Sequence, residues 1–541
     1  MHRKRYIFIL LTIGIFVIFW TVRFAMTDTG TRKIVKIYVQ SQENIQVLAN
    51  MVEPLEVRKD YVIADVTDRV LQEIRDKGFS IEIIADSIEN LLPSRSYSLS
   101  SARQLQQAVQ TASSYHYHSY SELKTELQQL ETAYPEIAKV IDIGDSWEKT
   151  QGIADRDILA LKISDNVNLE ESEPKILFIG AHHAREWISV EVPFYLAKYL
   201  IENYATDSAV KSYVDNGEIW IVPMLNPDGH QYSIDVNRAW RKNRRDNGDG
   251  SYGVDLNRNY SYMWGGLGSS SDTWAYLYRG ASFFSEPETQ AIRDLALSHE
   301  FRTIMSYHNS GQLILYPWSY KTNPAPHNQL FSLLATDMAG LIEGVSGRVY
   351  TPQQSSLLYL AGGTTEDWGY GEMNIFTFTT ELRPLGAPYY LLPEDEIMPT
   401  WEENKPATLH LISWSQSPAN PIPDIKANGS DGPVTATRSE GVIVKCSLNP
   451  GMYDRINADW WVLAKTPMGW YYRDLSTSSW KPGQTVTKQG PLYAVSDYQV
   501  FNRSGLQTGS YTFYCGVDLN MNGGISYGTL HYDSVTVQVT P

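Results

Sequence analysis

Two histidines and a glutamate carry the strongest chemical signal in the chain. They are His183 and Glu186 in Gly-Ala-His-His-Ala-Arg-Glu-Trp, and His308 in Ile-Met-Ser-Tyr-His. Imidazole nitrogens and a carboxylate oxygen suit zinc, and three protein ligands leave a fourth position for water, as a catalytic site requires. Both stretches follow short apolar runs, residues 176–180 and 303–307. Such runs read as buried strands ending in turns, so two strands of one sheet could present the three side chains at a common edge. His-x-x-Glu also recurs by chance, and a lone strand-end histidine is more often a hydrogen-bonded structural residue. Context has to decide, and spacing alone leaves His182 open beside His183.

The elements that must hold these groups fall into blocks. Residues 1–5 are basic and residues 6–22 apolar, the pattern of an export signal. The run is long for a cleaved signal and short for a bilayer span, so residues 1–26 read as a signal peptide or a membrane anchor. Either way the rest of the chain is expected outside the cytoplasm. Residues 27–92 alternate strand and helix patterns: strands near 33–39, 61–66 and 80–84, helices near 45–51 and 70–78. This predicts a small α+β unit of the split β-α-β kind. Residues 93–114 are polar, with Arg95 and Arg103 open to proteolysis.

From 115 to 415 strands and long helical patterns alternate, predicting an α/β domain with a mixed sheet flanked by helices. Its strands are read near 158–163, 219–223 and 375–379, its helices near 120–130, 189–204 and 286–299. A proline-rich linker, 416–427, leads to residues 428–541, whose short alternating runs and Gly/Asn turns predict a β-sandwich. The net charge of −16 repels nucleic acid phosphates and sets that class of partner aside. The two cysteines, Cys446 and Cys515, both fall in the last block. In an exported chain they read as a disulfide near Trp460 or Trp461.

More chemistry lies in the 115–415 block. Arg238-Ala-Trp-Arg241 precedes Val254-Asp-Leu-Asn257-Arg258-Asn259, and Thr380-Glu381-Leu-Arg follows the last strand. With His183, Glu186 and His308, this order resembles the zinc metallocarboxypeptidases of the carboxypeptidase A/B and T family. The resemblance implies an eight-stranded mixed sheet and one Zn2+ on His183, Glu186 and His308. It implies Arg258, with Asn257 beside it, on the substrate's terminal carboxylate, which an arginine fork matches bidentately. Arg241 would hold the developing oxyanion, Glu381 would move the proton, Tyr359 would close over the substrate, and Arg185 would touch it further from the cut. Glu366 falls near the family's specificity pocket, where a carboxylate would favour C-terminal Lys or Arg. The block 27–92 stands where the family has an inhibitory propeptide, with cleavage expected in 93–114.

Asn309-Ser310-Gly311 replaces the family's usual Ser-Tyr or Thr-Tyr after the last histidine. That departure keeps a second reading open, a peptidase of peptidoglycan stem peptides. A third reading is a binding protein with an inert α/β domain, in which Trp470, Tyr471, Tyr472 and Trp480 of the last block touch a glycan or surface. Asp518-x-Asn520-x-Asn522-Gly523 has the early spacing of a Ca2+ loop but lacks the later glutamate. Asp246 to Gly250 reads as a turn and a weaker calcium candidate.

Overall fold

The computed structural model describes residues 32–91 and 115–541. The export run and the cleavage segment with Arg95 and Arg103 lie outside them. Among the described residues no helix is long and apolar enough to cross a membrane.

The first unit is a four-stranded antiparallel sheet with two helices. Its strands β1 (Arg32–Tyr38), β2 (Pro54–Val57), β3 (Tyr61–Thr67) and β4 (Ile81–Ala85) lie in the order β2-β3-β1-β4. The helices Gln42–Ala49 and Asp68–Asp76 begin on Ser41 and Thr67, whose side chains accept from the N–H groups of Asn44 and Val70. Val35, Ile37, Val62 and Ala64 of the sheet pack with Ile45, Leu48, Leu71 and Ile74 of the helices into one core. The sequence reading misses β2. It has four residues and begins with Pro54, a residue tolerated at the start of a strand and on an edge strand, and β2 is both.

The second unit holds an eight-stranded mixed sheet. Its strands are β5 (Ala138–Asp145), β6 (Asp157–Ile163), β7 (Lys175–Ile179), β8 (Glu218–Val222), β9 (Phe301–Asn309), β10 (Leu313–Tyr316), β11 (Thr351–Gln354) and β12 (Phe376–Leu382). They run in the order β11-β10-β12-β9-β7-β8-β6-β5. The central four, β12, β9, β7 and β8, are parallel. β7 and β8 are buried at every position because both faces are covered. Ile176, Phe178, Ile219 and Ile221 meet the helices Ile188–Asn203, Asn328–Ser346 and Ile397–Gln416 on one side. Leu177, Ile179, Trp220 and Val222 meet the helix Pro287–Ser298 on the other. The connections leaving β7 and β8 go to opposite sides of β7, and open α/β sheets bind ligands at such a point, beyond the carboxyl ends of the strands. The α/β domain with a flanked mixed sheet is as the sequence predicts.

The last unit is β-rich, with two principal sheets. One contains β13 (Ile422–Ala427), β15 (Val442–Asn449) and β20 (Val495–Arg503) in the order β13-β15-β20. The other runs β14-β22-β21-β16-β17-β18, with β19 (Lys488–Pro491) also on β16. Its members are β14 (Val434–Thr437), β16 (Asn457–Thr466), β17 (Gly469–Asp474), β18 (Ser479–Pro482), β21 (Gly509–Asp518) and β22 (Leu530–Thr540). β13 occupies half of the stretch read as a linker, and the preceding helix runs to Gln416, so the connection narrows to residues 417–421. The Arg455 guanidinium pairs with Asp337 (Nη1 to Oδ1, 3.0 Å), and the Trp414 indole N–H donates to the Met452 carbonyl (3.1 Å), fastening this unit to the α/β domain.

The aromatic residues and Asp518 of this unit, and Asp249 of the α/β domain, can now be placed. Trp480 packs against the core with Phe501 and Phe513, its indole N–H donating to Val500 O. Trp470 instead packs beside Tyr514, and Tyr471 lies between Trp470 and Tyr472 on an alternating strand, so the four aromatics do not share one face. Asp518 and Asp249 are engaged by their own loops. Asp518 Oδ2 accepts from Ser526 N–H (2.6 Å) and Oδ1 from Thr529 Oγ1–H (2.5 Å), while Asp249 Oδ1 accepts from Ser251 N–H (2.9 Å). Among the described residues neither joins a trio of converging acidic or imidazole side chains.

A buried ion pair ties the start of the α/β domain to the helix that follows the His-x-x-Glu turn. The His118 backbone N–H donates to Glu191 Oε1 (2.9 Å), Nδ1 lies 2.7 Å from Glu191 Oε2, and Nε2 lies 3.2 Å from Glu126. Burial alone would lower the imidazole pKa, but the Glu191 and Glu126 carboxylates push it from 6.5 up to about 9. The folded state therefore holds this proton more tightly than the unfolded one. The stabilisation, on the order of 2–3 kcal/mol, is fully present below about pH 6.5 and is lost as pH rises through about 9. Melting temperatures of the wild type should fall across that window, and His118→Gln, less stable at pH 6, should lack most of the fall.

Candidate active site

The three candidate ligands stand at the carboxyl ends of neighbouring strands. After β7 the chain turns at Gly180, where an added Cβ would come within 2.2 Å of Ser189 O and 2.5 Å of Pro223 O, so only glycine fits. The turn is closed by Ser189, whose Oγ donates to Glu186 O (2.5 Å) and accepts from Ala181 N–H (3.1 Å). This aims His183 and Glu186 inward, and β9, parallel to β7, delivers His308 beside them. His183 Nδ1 lies 2.9 Å from Glu186 Oε1 and 3.0 Å from His308 Nδ1, which is 3.1 Å from Glu186 Oε2. All three side chains are buried and form a group able to hold a metal ion. Burial alone would raise the Glu186 carboxyl, but the His183 and His308 imidazoles hold it well below the usual carboxylate range.

His182 points the other way. It is fully buried, with Nε2 2.9 Å from Tyr260 OH and 3.0 Å from Thr365 Oγ1, and Nδ1 3.1 Å from Ser306 Oγ. Its ring stacks against His308 at 5.3 Å. His182 therefore packs behind the trio instead of joining it, which removes the ambiguity that spacing leaves.

Asp255 is the residue that sequence reasoning passed over. Its Oδ1 lies 3.2 Å from His183 Nε2, the position for the imidazole N–H to donate, and its Oδ2 accepts from Arg241 Nε (3.2 Å) and Nη2 (3.0 Å). Burial would raise this carboxyl, yet Arg241 and His183 hold it well below the usual range. A carboxylate on the outer nitrogen of a metal-binding histidine fixes its ring and tautomer. The only sequence signal was its place two residues before Asn257 in the Arg258 motif.

Arg258 is buried and held in shape by carbonyls: Nε donates to Gly268 O (2.7 Å), Nη1 to Asn257 O (2.7 Å), and Nη2 to Tyr359 OH (3.4 Å). Asn257 turns its amide oxygen away, accepting from Thr365 N–H and Oγ1–H, each at 2.9 Å. That bond seats the Arg258 segment on the first turn of the helix Thr365–Gly371, which also carries Glu366. Glu366 is buried; Oε1 accepts from Ser319 Oγ–H (2.6 Å), and Oε2 has no hydrogen-bond partner among the described residues. Glu381 comes from β12 in register with His308 on β9. Burial pushes its carboxyl up to about 8, helped by Glu186 and Glu53 and opposed by His308 and Arg241. The Asn309 backbone N–H donates to Glu186 Oε2 (3.2 Å), so the departure after the last histidine leaves the Glu186 contact intact.

Arg185 and Arg241 meet a partner that the sequence did not announce. Both guanidiniums bond the carboxylate of Glu53, one oxygen each, from the loop before β2 of the first unit. Arg185 also lies over the Tyr390 ring at 4.2 Å. The same unit grips the Tyr359 loop: Gln46 donates to Leu360 O (3.0 Å) and accepts from Leu360 N–H (2.6 Å), while Gln42 donates to Leu358 O (3.3 Å). Tyr359 itself packs against the core of the first unit.

Two imidazoles and a carboxylate with ligand atoms about 3 Å apart, backed by a buried carboxylate, define a candidate zinc hydrolase site on an α/β sheet. Residues 123–407 match the family described as zinc carboxypeptidase, and the chain belongs to it: it is a metallocarboxypeptidase, a peptide hydrolase. It is 34% identical to carboxypeptidase B of Astacus astacus over 293 residues, 53% of this chain and 93% of that one. Over 336 residues it is 29% identical to carboxypeptidase A4 of Mus musculus, covering 61% and 77%. Thrombin activatable fibrinolysis inhibitor superposes with a TM-score of 0.59 at 25% identity, over 71% of this chain and 99% of that structure. Carboxypeptidase A from Helicoverpa armigera shares the fold, with a TM-score of 0.61 at 24% identity, covering 72% and 98%.

Asp255→Asn should weaken zinc binding by roughly 10–100-fold, read by competition with a chromogenic chelator, because His183 loses the acceptor that orients it. An unchanged affinity would show that the ring is fixed by its neighbours alone.

Proposed function

We propose that the chain is an exported precursor of an exopeptidase that removes single C-terminal residues, with a preference for Lys and Arg. The observation that carries this reading is the joint between Asn257 and Thr365. It ties the segment of buried Arg258 to the helix turn that carries buried Glu366, supporting a cation for the terminal carboxylate and an anion for a basic side chain. Burying an unpaired carboxylate oxygen is costly, and a guanidinium or ammonium group of the substrate would satisfy it.

His183, Glu186 and His308 would hold zinc, which supplies a Lewis acid and brings the pKa of a bound water down to about 7. The remaining work falls to the protein's own groups. Arg258 binds the terminal carboxylate and fixes the register of the chain end. Arg241, kept in plane by Asp255, donates to the carbonyl oxygen as negative charge builds on it. Glu381 takes a proton from the attacking water and passes it to the leaving amine. Tyr359 covers the substrate carboxylate beside Arg258, and Arg185 meets the residues upstream of the cut.

The first unit is an inhibitory propeptide in this reading. Glu53 occupies the two arginines that face the substrate, and Gln42 and Gln46 hold the Tyr359 loop. Support also comes from the likeness to thrombin activatable fibrinolysis inhibitor, which spans 71% of the chain and so extends beyond residues 123–407. Cleavage within 93–114 frees the cleft.

Glu366→Gln in the processed enzyme should lower kcat/KM for a peptide ending in Lys by roughly 10–100-fold and leave its Phe counterpart nearly unchanged. Retained preference for Lys would refute the basic specificity. In the uncut chain, Glu53→Ala should raise peptidase activity by about tenfold, from the loss of two charge-assisted contacts. Equal activity of the uncut wild type and the processed enzyme would rule out inhibition by this unit.

A further inference from the structure

Cys446 and Cys515 are the only cysteines in the chain, and they sit on different sheets of the last unit. Cys446 belongs to β15 of the three-stranded sheet, Cys515 to β21 of the larger one, and both side chains are buried in the same core cluster. Their level in the sandwich is fixed by their neighbours. Ile425 on β13 is the register partner of Cys446, and Asp533 on β22 is the register partner of Cys515. The Ile425 N–H donates to Asp533 Oδ2 at 2.9 Å, from one sheet to the other. The two cysteines therefore face each other across the same layer of one core.

Other uses of the pair fit poorly. Contact with Cys515 together with burial pushes the Cys446 thiol far up, which suppresses the thiolate needed of a nucleophile. Neither cysteine belongs to any group of converging metal-ligating side chains among the described residues. Trp460 packs with Tyr493 in a separate cluster, and the tryptophan packed on the cysteines' own cluster is Trp480.

We propose that Cys446 and Cys515 form a disulfide that staples the two sheets, made by exchange with a disulfide-bearing oxidant while the unit folds. One cysteine thiolate attacks a sulfur of the oxidant's disulfide, forming a mixed disulfide and releasing one oxidant thiol. The second cysteine thiolate attacks the protein sulfur of that mixed disulfide, forming the Cys446–Cys515 bond and releasing the other oxidant thiol. Two electrons and two protons pass to the oxidant, which leaves as a dithiol or two thiols. Exchange precedes closure of the sandwich, because the closed core excludes the oxidant and disfavours the thiolate. The same burial then shields the bond from reductants.

The test uses the full chain refolded with oxidised and reduced glutathione, or with reductant alone. Alkylation in denaturant should find no free thiols after oxidative refolding and both cysteines labelled after reduction. The intact unlabelled oxidised chain should be lighter by the mass of two hydrogens. Melting of the last unit should drop by roughly 10 °C or more on reduction. Cys446→Ala/Cys515→Ala should melt at the same temperature with and without reductant. Two alkylatable thiols in the folded, oxidatively refolded chain would overturn the proposal, as would equal melting of the oxidised and reduced wild type. Should the double variant fail to fold, the thiol count on the wild type decides.

Discussion

One carboxylate, Asp255, couples the two halves of the site. Its oxygens divide between the outer nitrogen of His183 and the guanidinium of Arg241. The candidate metal ligand and the candidate oxyanion donor are thus positioned by a single buried carboxylate, held well below the usual range by Arg241 and His183. Such an arrangement is costly to bury unless every charge has a partner. Moving Asp255 would disturb the ring angle at His183 and the plane of Arg241 together, and both must be right within a few tenths of an ångström for catalysis. The parallel strands β7 and β9 supply the rest, because adjacent carboxyl ends bring His183, Glu186 and His308 to one edge without any long loop.

Much of this was legible in the sequence where the signal is local. Residues 176–180 and 303–309 read as buried strands because both faces of β7 and β9 are covered, and a continuous apolar run follows from that. The His-x-x-Glu spacing works because a single tight turn at Gly180 and Ser189 carries both groups. What the sequence hides is pairing between distant segments. Asp255 looks like any acidic residue beside a motif until His183 is folded onto it. β2 is only four residues long and starts on a proline, and β13 begins in a proline-rich stretch, so neither carries a clear periodic signal. His182 and His183 are indistinguishable in sequence, since their difference lies in which side of the β7 end each faces.

Glu53 shows the limit most clearly. Nothing around Met51-Val52-Glu53-Pro54 marks it as functional, because its meaning comes from another unit. Folded onto the second unit, it gives Arg185 and Arg241 a shared carboxylate partner, at the two arginines for which substrate contacts are proposed. Arg241 already pairs with Asp255, and among the described residues the Arg185 guanidinium bonds only the Ala239 carbonyl besides Glu53, so the added acid offsets buried positive charge that the site itself creates. If the first unit is the inhibitory propeptide proposed above, inhibition and stability of the precursor rest on the same contact.

In the proposed reading, recognition of the chain end and recognition of its side chain are held in place by different contacts. Arg258 takes its shape from the carbonyls of Gly268 and Asn257, which are backbone and cannot be changed by substitution. Glu366 takes its position from Ser319 and from the first turn of a short helix, where a negative charge is favoured. The Asn257–Thr365 bonds join the two segments. A chain of this fold could therefore alter the residue it prefers by changing the acid at position 366 while keeping the exopeptidase register untouched. In that reading the terminal carboxylate meets Arg258, a side chain whose shape backbone carbonyls set, and the preferred residue meets the single carboxylate of Glu366.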